Sequence, residues 1–177
     1  MCELSIHSEI TETVWCGTGH RIQDLPKSKD FSKGKIQMLK DWFKVGRPKA
    51  IITGMAVGWD MYLAEAALEE NLPYFAYVPF LGQERIWPKN EQEKYHHLLK
   101  NAYSTKIISP GEYTVSKMHI RNKAMLDDSS GVLTLWNPNK RFGGTYSTLK
   151  EAIKRGRTVI NFWGDEPQLL SPAKFKG

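Results

Sequence analysis

Six short runs rich in Val, Ile and aromatic residues recur along the chain: TVWCG (13–17), AIIT (50–53), YFAYVP (74–79), TKIIS (105–109), GVLTLW (131–136) and TVINF (158–162). Apolar runs of this length without polar alternation suit strands covered on both faces. The segments between them carry apolar residues at helical spacing, Ile36, Leu39 and Phe43 near 32–45, then Leu63, Ala67 and Leu68 near 59–71. Asn90 with Glu93 three residues on has the pattern of an N-cap and capping box for a third helix, which carries Tyr95, Leu98, Leu99 and Ala102. Two further helices are expected near 116–127 and 145–155, the last stopped by Gly156. This alternation predicts an α/β fold: a Rossmann-like, mostly parallel sheet of about six strands with helices on both faces. In such sheets ligands bind beyond the carboxyl ends of the strands, near the point where strand order reverses.

The 177 residues, 41% of them hydrophobic, suffice for one well-packed domain and are few for two. Residues 1–177 are therefore read as a single domain with its core at about 13–163. No stretch is apolar over the roughly 18 residues of a membrane span, and MCELSIHSEITETV has neither a basic start nor a continuous apolar run. The expectation is a cytoplasmic protein with no membrane partner. Cys2, near the N-terminus, and Cys16 show neither metal-ligand spacing nor a disulfide framework, so no metal and no other cofactor is expected. Net charge is +6. Residues 26–49 match that excess, with Lys27, Lys29, Lys33, Lys35, Lys40, Lys44, Arg47 and Lys49 against Asp30 and Asp41. Such a run reads first as a solvated helix face and second as a surface for an anionic partner such as nucleic acid.

The residues with chemical potential follow the strands. After the first comes CGTGHR, where Gly17 and Gly19 let the backbone approach a ligand and Thr18 offers a hydroxyl. After the second, Gly54 and Gly58 bracket a loop that opens a helix, whose free N–H groups favour a phosphate or carboxylate. Asp60 stands in that helix's first turn, either complementing the dipole or facing a sugar. After the third strand, VPFLGQERIWP brings Glu84 and Trp87, the latter a candidate for stacking on a base or for packing over the sheet. The adjacent His96 and His97 point in different directions on a helix and are given no role. Arg121 offers a planar fork suited to phosphate, and Gly143, Gly144 and Thr145 supply side-chain-free backbone and a hydroxyl at a helix start, beside Lys140 and Arg141.

The stretch GMAVGWDMYLAEAALEENLPYFAYVPFLGQERIWP, with RNKAMLDDSSGVLTLW and FGGT, resembles the YpsA-like branch of the SLOG superfamily over about residues 14–162. The resemblance implies a Rossmann-like fold and a nucleotide-derived ligand. Among SLOG relatives, the LOG enzymes release the base from cytokinin nucleoside 5′-monophosphates and carry an MHxRK helix followed by a PGGxGTxxE loop. Met118, His119 and Arg121, then Gly143, Gly144 and Thr145, stand in similar order here. The loop's acid is replaced by Thr148, and the nearest acid, Glu151, is six residues past Thr145, about 9 Å from it along a helix axis.

N-glycosidic cleavage calls for a carboxylate beside the sugar. Asp60 is the first candidate, Glu84 the second and Glu65 the third. Three functions follow from the resemblance. The first is a nucleotide-binding site that hydrolyses the N-glycosidic bond of a nucleoside 5′-monophosphate, with Asp60, Glu84 and Arg121 as its catalytic candidates. The second is a non-catalytic sensor or sequestering protein for a nucleotide-derived signal. The third, resting on the basic 26–49 segment, is single-stranded DNA binding of the DprA kind. LOG-like relatives also imply a homodimer.

Overall fold

The computed structural model describes residues 13–175; Cys2 lies outside them. All six apolar runs form strands: β1 (Val14–Gly19), β2 (Ala50–Thr53), β3 (Tyr74–Val78), β4 (Ser104–Ile107), β5 (Gly131–Leu135) and β6 (Thr158–Asn161). A two-residue strand, β7 (Gln168–Leu169), pairs antiparallel with β6 beyond the expected core. The other pairings are parallel, in the order β4-β3-β2-β1-β5-β6-β7. Strand order therefore reverses between β1 and β5, the place where such sheets open a crevice.

Five helices connect the parallel strands: α1 (Lys29–Gly46), α2 (Trp59–Glu69), α3 (Lys89–Asn101), α4 (Val115–Asp127) and α5 (Gly143–Lys154). A four-residue helix, α6 (Pro172–Phe175), follows β7. Side chains alternate across each strand, so neighbours in sequence enter opposite layers. Trp15, Ile51 and Leu133 meet α1, α2 and α3 through Leu39, Leu63 and Leu98. Cys16, Ile52 and Val132 meet α4 and α5 through Met125, Leu126 and Leu149. Burial pushes the Cys16 thiol up to about 11, which leaves it an inert core residue at neutral pH.

Three local expectations are corrected. The run at 105–109 is not covered on both faces: all four residues of β4 are exposed, because β4 is the sheet's edge. Asn90 is not the cap of α3. Pro88 is, with its carbonyl accepting from the N–H groups of Glu91 and Gln92, each at 3.0 Å, and Asn90 falls inside the first turn. The helix expected at 145 begins at Gly143, so both glycines lie within its first turn.

The basic segment becomes α1, and its face is not simply solvated. Ser28 caps the helix, accepting from the Asp30 N–H. The buried Lys35 ammonium donates to the carbonyls of Trp163 (3.1 Å) and Gly164 (2.8 Å), tying α1 to the end of β6. Lys40 pairs with Glu69 at 2.8 Å, and both Lys40 and Lys44 lie 3.9 Å from Glu70.

Two glycines of opposite character test this packing. A Cβ on Gly131 would lie 2.4 Å from the Trp15 ring, whereas one on the exposed helical Gly34 meets nothing within 4 Å. Gly131→Ala is expected to destabilise by about 1–3 kcal/mol, and Gly34→Ala to stabilise by about 0.4–1 kcal/mol. Urea midpoints of the two variants should move in opposite directions; a lower midpoint for Gly34→Ala would contradict the assignment.

Candidate functional site

A cavity of about 330 Å³ lies beyond the carboxyl ends of β1 and β5, within the roughly 300–1,000 Å³ of small-molecule sites. Gly17, Thr18 and Gly19 line it from β1. Gly19 is demanded by packing: a Cβ there would lie 2.5–2.7 Å from Trp59, and one on Gly17 would lie 1.9 Å from Leu63 Cδ1. Both glycines thus let α2 settle onto the strand end. The Trp59 indole N–H donates to the Leu133 carbonyl at 3.0 Å, fixing the first turn of α2 across the β1–β5 boundary.

Asp60, the next residue, is buried and lines the cavity. Its backbone carbonyl accepts from the Thr53 hydroxyl at 2.7 Å, and its Oδ2 accepts from the Ala56 N–H at 3.3 Å. Arg121 reaches the same place from α4, its Nη1 donating to the Gly54 carbonyl at 2.7 Å and its Nε to Asn122 Oδ1 at 2.8 Å. A Cβ on Gly54 would lie 2.2 Å from Arg121 Nη1 and 2.9 Å from Asp60 Oδ2, so the glycine makes room for two opposite charges. Burial pushes the Asp60 carboxyl above its ordinary range, with Arg121 opposing. Burial also lowers Arg121, with Asp60 opposing.

The opposite wall is the start of α5. Gly143, Gly144 and Thr145 line the cavity, with Lys140 and Phe142 beside them. Phe142 occupies the N-cap position, where its side chain makes no capping bond, and the first-turn N–H groups have no intrahelical acceptor. Gly143 takes φ +89°, and a Cβ on either glycine would meet nothing within 4 Å: the space in front of this helix end is open. Thr148, at the position of the LOG acid, donates to the Gly144 carbonyl at 2.9 Å and accepts from Asn122 at 3.1 Å. Glu151 is instead held by Arg155 at 2.9 Å.

Several candidates fall outside this cavity. Gly54 serves the Arg121 contact just described, and Gly58, at φ +119°, lets the loop close against His20 and Ile22, whose backbone a Cβ would meet at 2.8–2.9 Å. At the start of α2 the Trp59 N–H donates to the His20 carbonyl at 3.4 Å. Glu84 lies in a short 3-10 turn (Gln83–Ile86), one carboxylate oxygen 3.7 Å from His96 Nε2 and the other buried without a partner. Glu65 sits 3.5 Å from Lys94 at the α2–α3 surface. Trp87 packs edge-on to Tyr95 at 5.4 Å and lines a neighbouring cavity. Among the described residues no three His, Cys, Asp or Glu side chains gather as a metal site, and no helix is long and apolar enough to cross a membrane.

His20 was not singled out from sequence, although it directly follows the Gly17–Gly19 stretch. Buried at 4% exposure, it lines the cavity and its Nε2 accepts from the Asn137 N–H at 2.9 Å. That bond requires a neutral ring with its proton on Nδ1. At the rim, Lys140 pairs with Asp24 at 2.8 Å.

The sequence profile of the YspA SLOG family matches residues 19–161, from the β1 glycine through β6. The chain belongs to the YspA SLOG family. Relatives include UPF0398 proteins of Bacillus anthracis (strain A0248) and Bacillus thuringiensis (strain Al Hakam), each 23% identical over 78% of this chain and 77% of the relative. Among solved structures, DNA processing protein A (DprA) from Streptococcus pneumoniae superposes with TM-score 0.63 at 21% identity, covering 86% of this chain and 50% of that one. The chain thus spans half the length of that structure. DNA processing protein A from Helicobacter pylori, studied for its single-stranded DNA binding mode, gives TM-score 0.62 at 18% identity over 89% of this chain and 67% of that one. At these identities the shared property is the fold.

The His20 bond makes stability depend on pH. Burial, then the nearby Lys140, holds its pKa below the ordinary 6.5. As pH falls, the unfolded chain takes up the proton first, so the stability of neutral His20 is full above about 6.5 and is lost as pH falls from there through the lowered folded value. The urea midpoint should drop between about pH 7.5 and about pH 5.5, and drop less in His20→Gln. Equal drops in both proteins would contradict the assignment.

Proposed function

We propose that this SLOG domain binds a nucleoside 5′-monophosphate in the cavity between β1 and β5. The phosphate lies against the first turn of α5, at Gly143, Gly144 and Thr145, and the ribose lies toward Asp60. The observation that carries this reading is the open, uncapped α5 end facing the same cavity as the buried Asp60 and Arg121. Unpaired N–H groups and the positive dipole end suit a phosphate, while Arg121 supplies a cation at the cavity wall and balances Asp60.

Asp60 favours a second, catalytic reading of the same site. Of the three carboxylates considered for N-glycosidic cleavage, Asp60 lines the cavity and Glu84 and Glu65 do not. A carboxylate held above its ordinary range by burial is a better proton acceptor. In this reading it takes a proton from water as the oxygen joins C1′; the C1′–N bond breaks and the base leaves, protonated by solvent, with ribose 5-phosphate as the other product. The single-stranded DNA reading has less support, because Lys35 of the basic segment is tied to the Trp163 and Gly164 carbonyls and Lys40 to Glu69.

Gly144→Asp tests the binding site with little risk to the fold, since a first-turn acid suits a helix start and the space is open. It should leave the melting temperature unchanged or raised and weaken nucleoside monophosphate binding by about tenfold or more, as read by calorimetry against AMP, GMP, CMP and UMP. Unaltered affinity would remove α5 from the phosphate site.

Asp60→Asn separates catalysis from binding. If the wild-type protein releases free base from any of these nucleotides, followed by chromatography, the variant should lose about 100-fold or more of that rate while its affinity changes by less than about threefold. Full turnover in the variant would exclude Asp60 as the proton acceptor.

A further inference from the structure

A second cavity, of about 480 Å³, adjoins the first, and Arg21, Ala56, Tyr113 and Met118 contribute to the walls of both. Its character differs. The first mixes charged and small polar residues with Val115 and Phe142; the second is walled by Phe80, Ile86, Trp87 and Val57, with Gln23, Asn90 and Glu91 as polar groups at its edge. Ile86 is 92% exposed and the nearby Leu81 72% exposed, an uneconomical use of large apolar side chains for a surface facing water alone. Both belong to the third-strand connection. Gly82, at φ +86°, turns the chain there and Gln83 Nε2 donates to the Gly54 carbonyl at 3.4 Å, so the apolar wall is attached to the loop beside Asp60 and Arg121.

We infer that this second cavity is the nucleobase subsite of the same ligand, so that one nucleotide spans both spaces, its phosphate at α5 and its base against Phe80, Ile86 and Trp87. The inference rests on the nucleotide reading of the first cavity. A base is flat, apolar on its faces and polar at its edges, which matches aromatic and aliphatic walls with amide and carboxylate groups at the margin. The shared wall residues place the base next to the ribose site rather than at a separate one. Trp87 is held edge-on against Tyr95, so it acts as a fixed wall and not as a swinging lid. In this arrangement the Phe80–Trp87 connection supplies the walls that meet the base, and specificity among nucleotides resides there.

Calorimetry with ribose 5-phosphate and with AMP, GMP, CMP and UMP tests this on the wild type, Ile86→Asp and Trp87→Ala. Ile86 is exposed, so its replacement leaves folding intact. The expected result is that ribose 5-phosphate binds all three proteins alike, that at least one nucleotide binds the wild type about tenfold or more tighter than ribose 5-phosphate, and that both substitutions close most of that gap. If ribose 5-phosphate and all four nucleotides bind equally, or the gap survives both substitutions, the base subsite is overturned while the phosphate site stands. If neither the sugar phosphate nor any nucleotide binds, the nucleotide reading and this inference fall together.

Discussion

The seating of Trp59 on β1 governs what lies around it. Its indole donates to the Leu133 carbonyl of β5 while its ring occupies the space that any side chain at position 19 would need. One contact thereby bridges the two strands at which the sheet reverses order. The consequence is positional: the residue after Trp59 is Asp60, and a helix clamped at Trp59 has its first-turn carboxylate delivered to the cavity wall. Were Gly19 to carry a side chain, α2 would have to lift, and Asp60 would move with it.

That carboxylate is costly to bury, and the fold offsets the cost locally. Arg121 arrives from the other helical layer, and Gly54 leaves the gap in which the two groups approach. Two opposite charges buried near one another contribute little net stability compared with apolar packing, while removal of one leaves the other uncompensated. Both groups are buried at the wall of the cavity. The α5 end adds the complementary feature, unspent N–H groups with open space before them. Acidic, cationic and dipolar groups thus converge on one small volume drawn from β1, α2, α4 and α5.

Strands and helices were legible because apolar periodicity is a local signal, and runs such as GVLTLW admit few other readings. Arg121, in the middle of α4, and the Gly143–Thr145 stretch at the start of α5 were both singled out from sequence, and the fold brings them to the same cavity. Legibility failed where a residue's meaning depends on a distant partner. Gly54 and Gly58 look like an anion loop in sequence, yet one accommodates Arg121, 67 residues away, and the other docks the His20 segment. Glu84 and Asp60 are equally acidic on paper; only three dimensions put one at the cavity and the other against His96. His20 carried no signal beyond following Gly19, because its acceptor role is set by the backbone of Asn137, 117 residues on. The antiparallel β7 is two residues long and lacks any periodicity to detect.

The central claim is that phosphate sits at the start of α5. A crystal structure of the chain with AMP present, or with whichever of the four nucleotides binds most tightly, tests it most directly. The account predicts a phosphate within hydrogen-bonding distance of the Gly143–Thr145 backbone N–H groups, with the ribose on the Asp60 side. A phosphate bound on the α1 surface, or at the start of α2 beside Gly58, would contradict it.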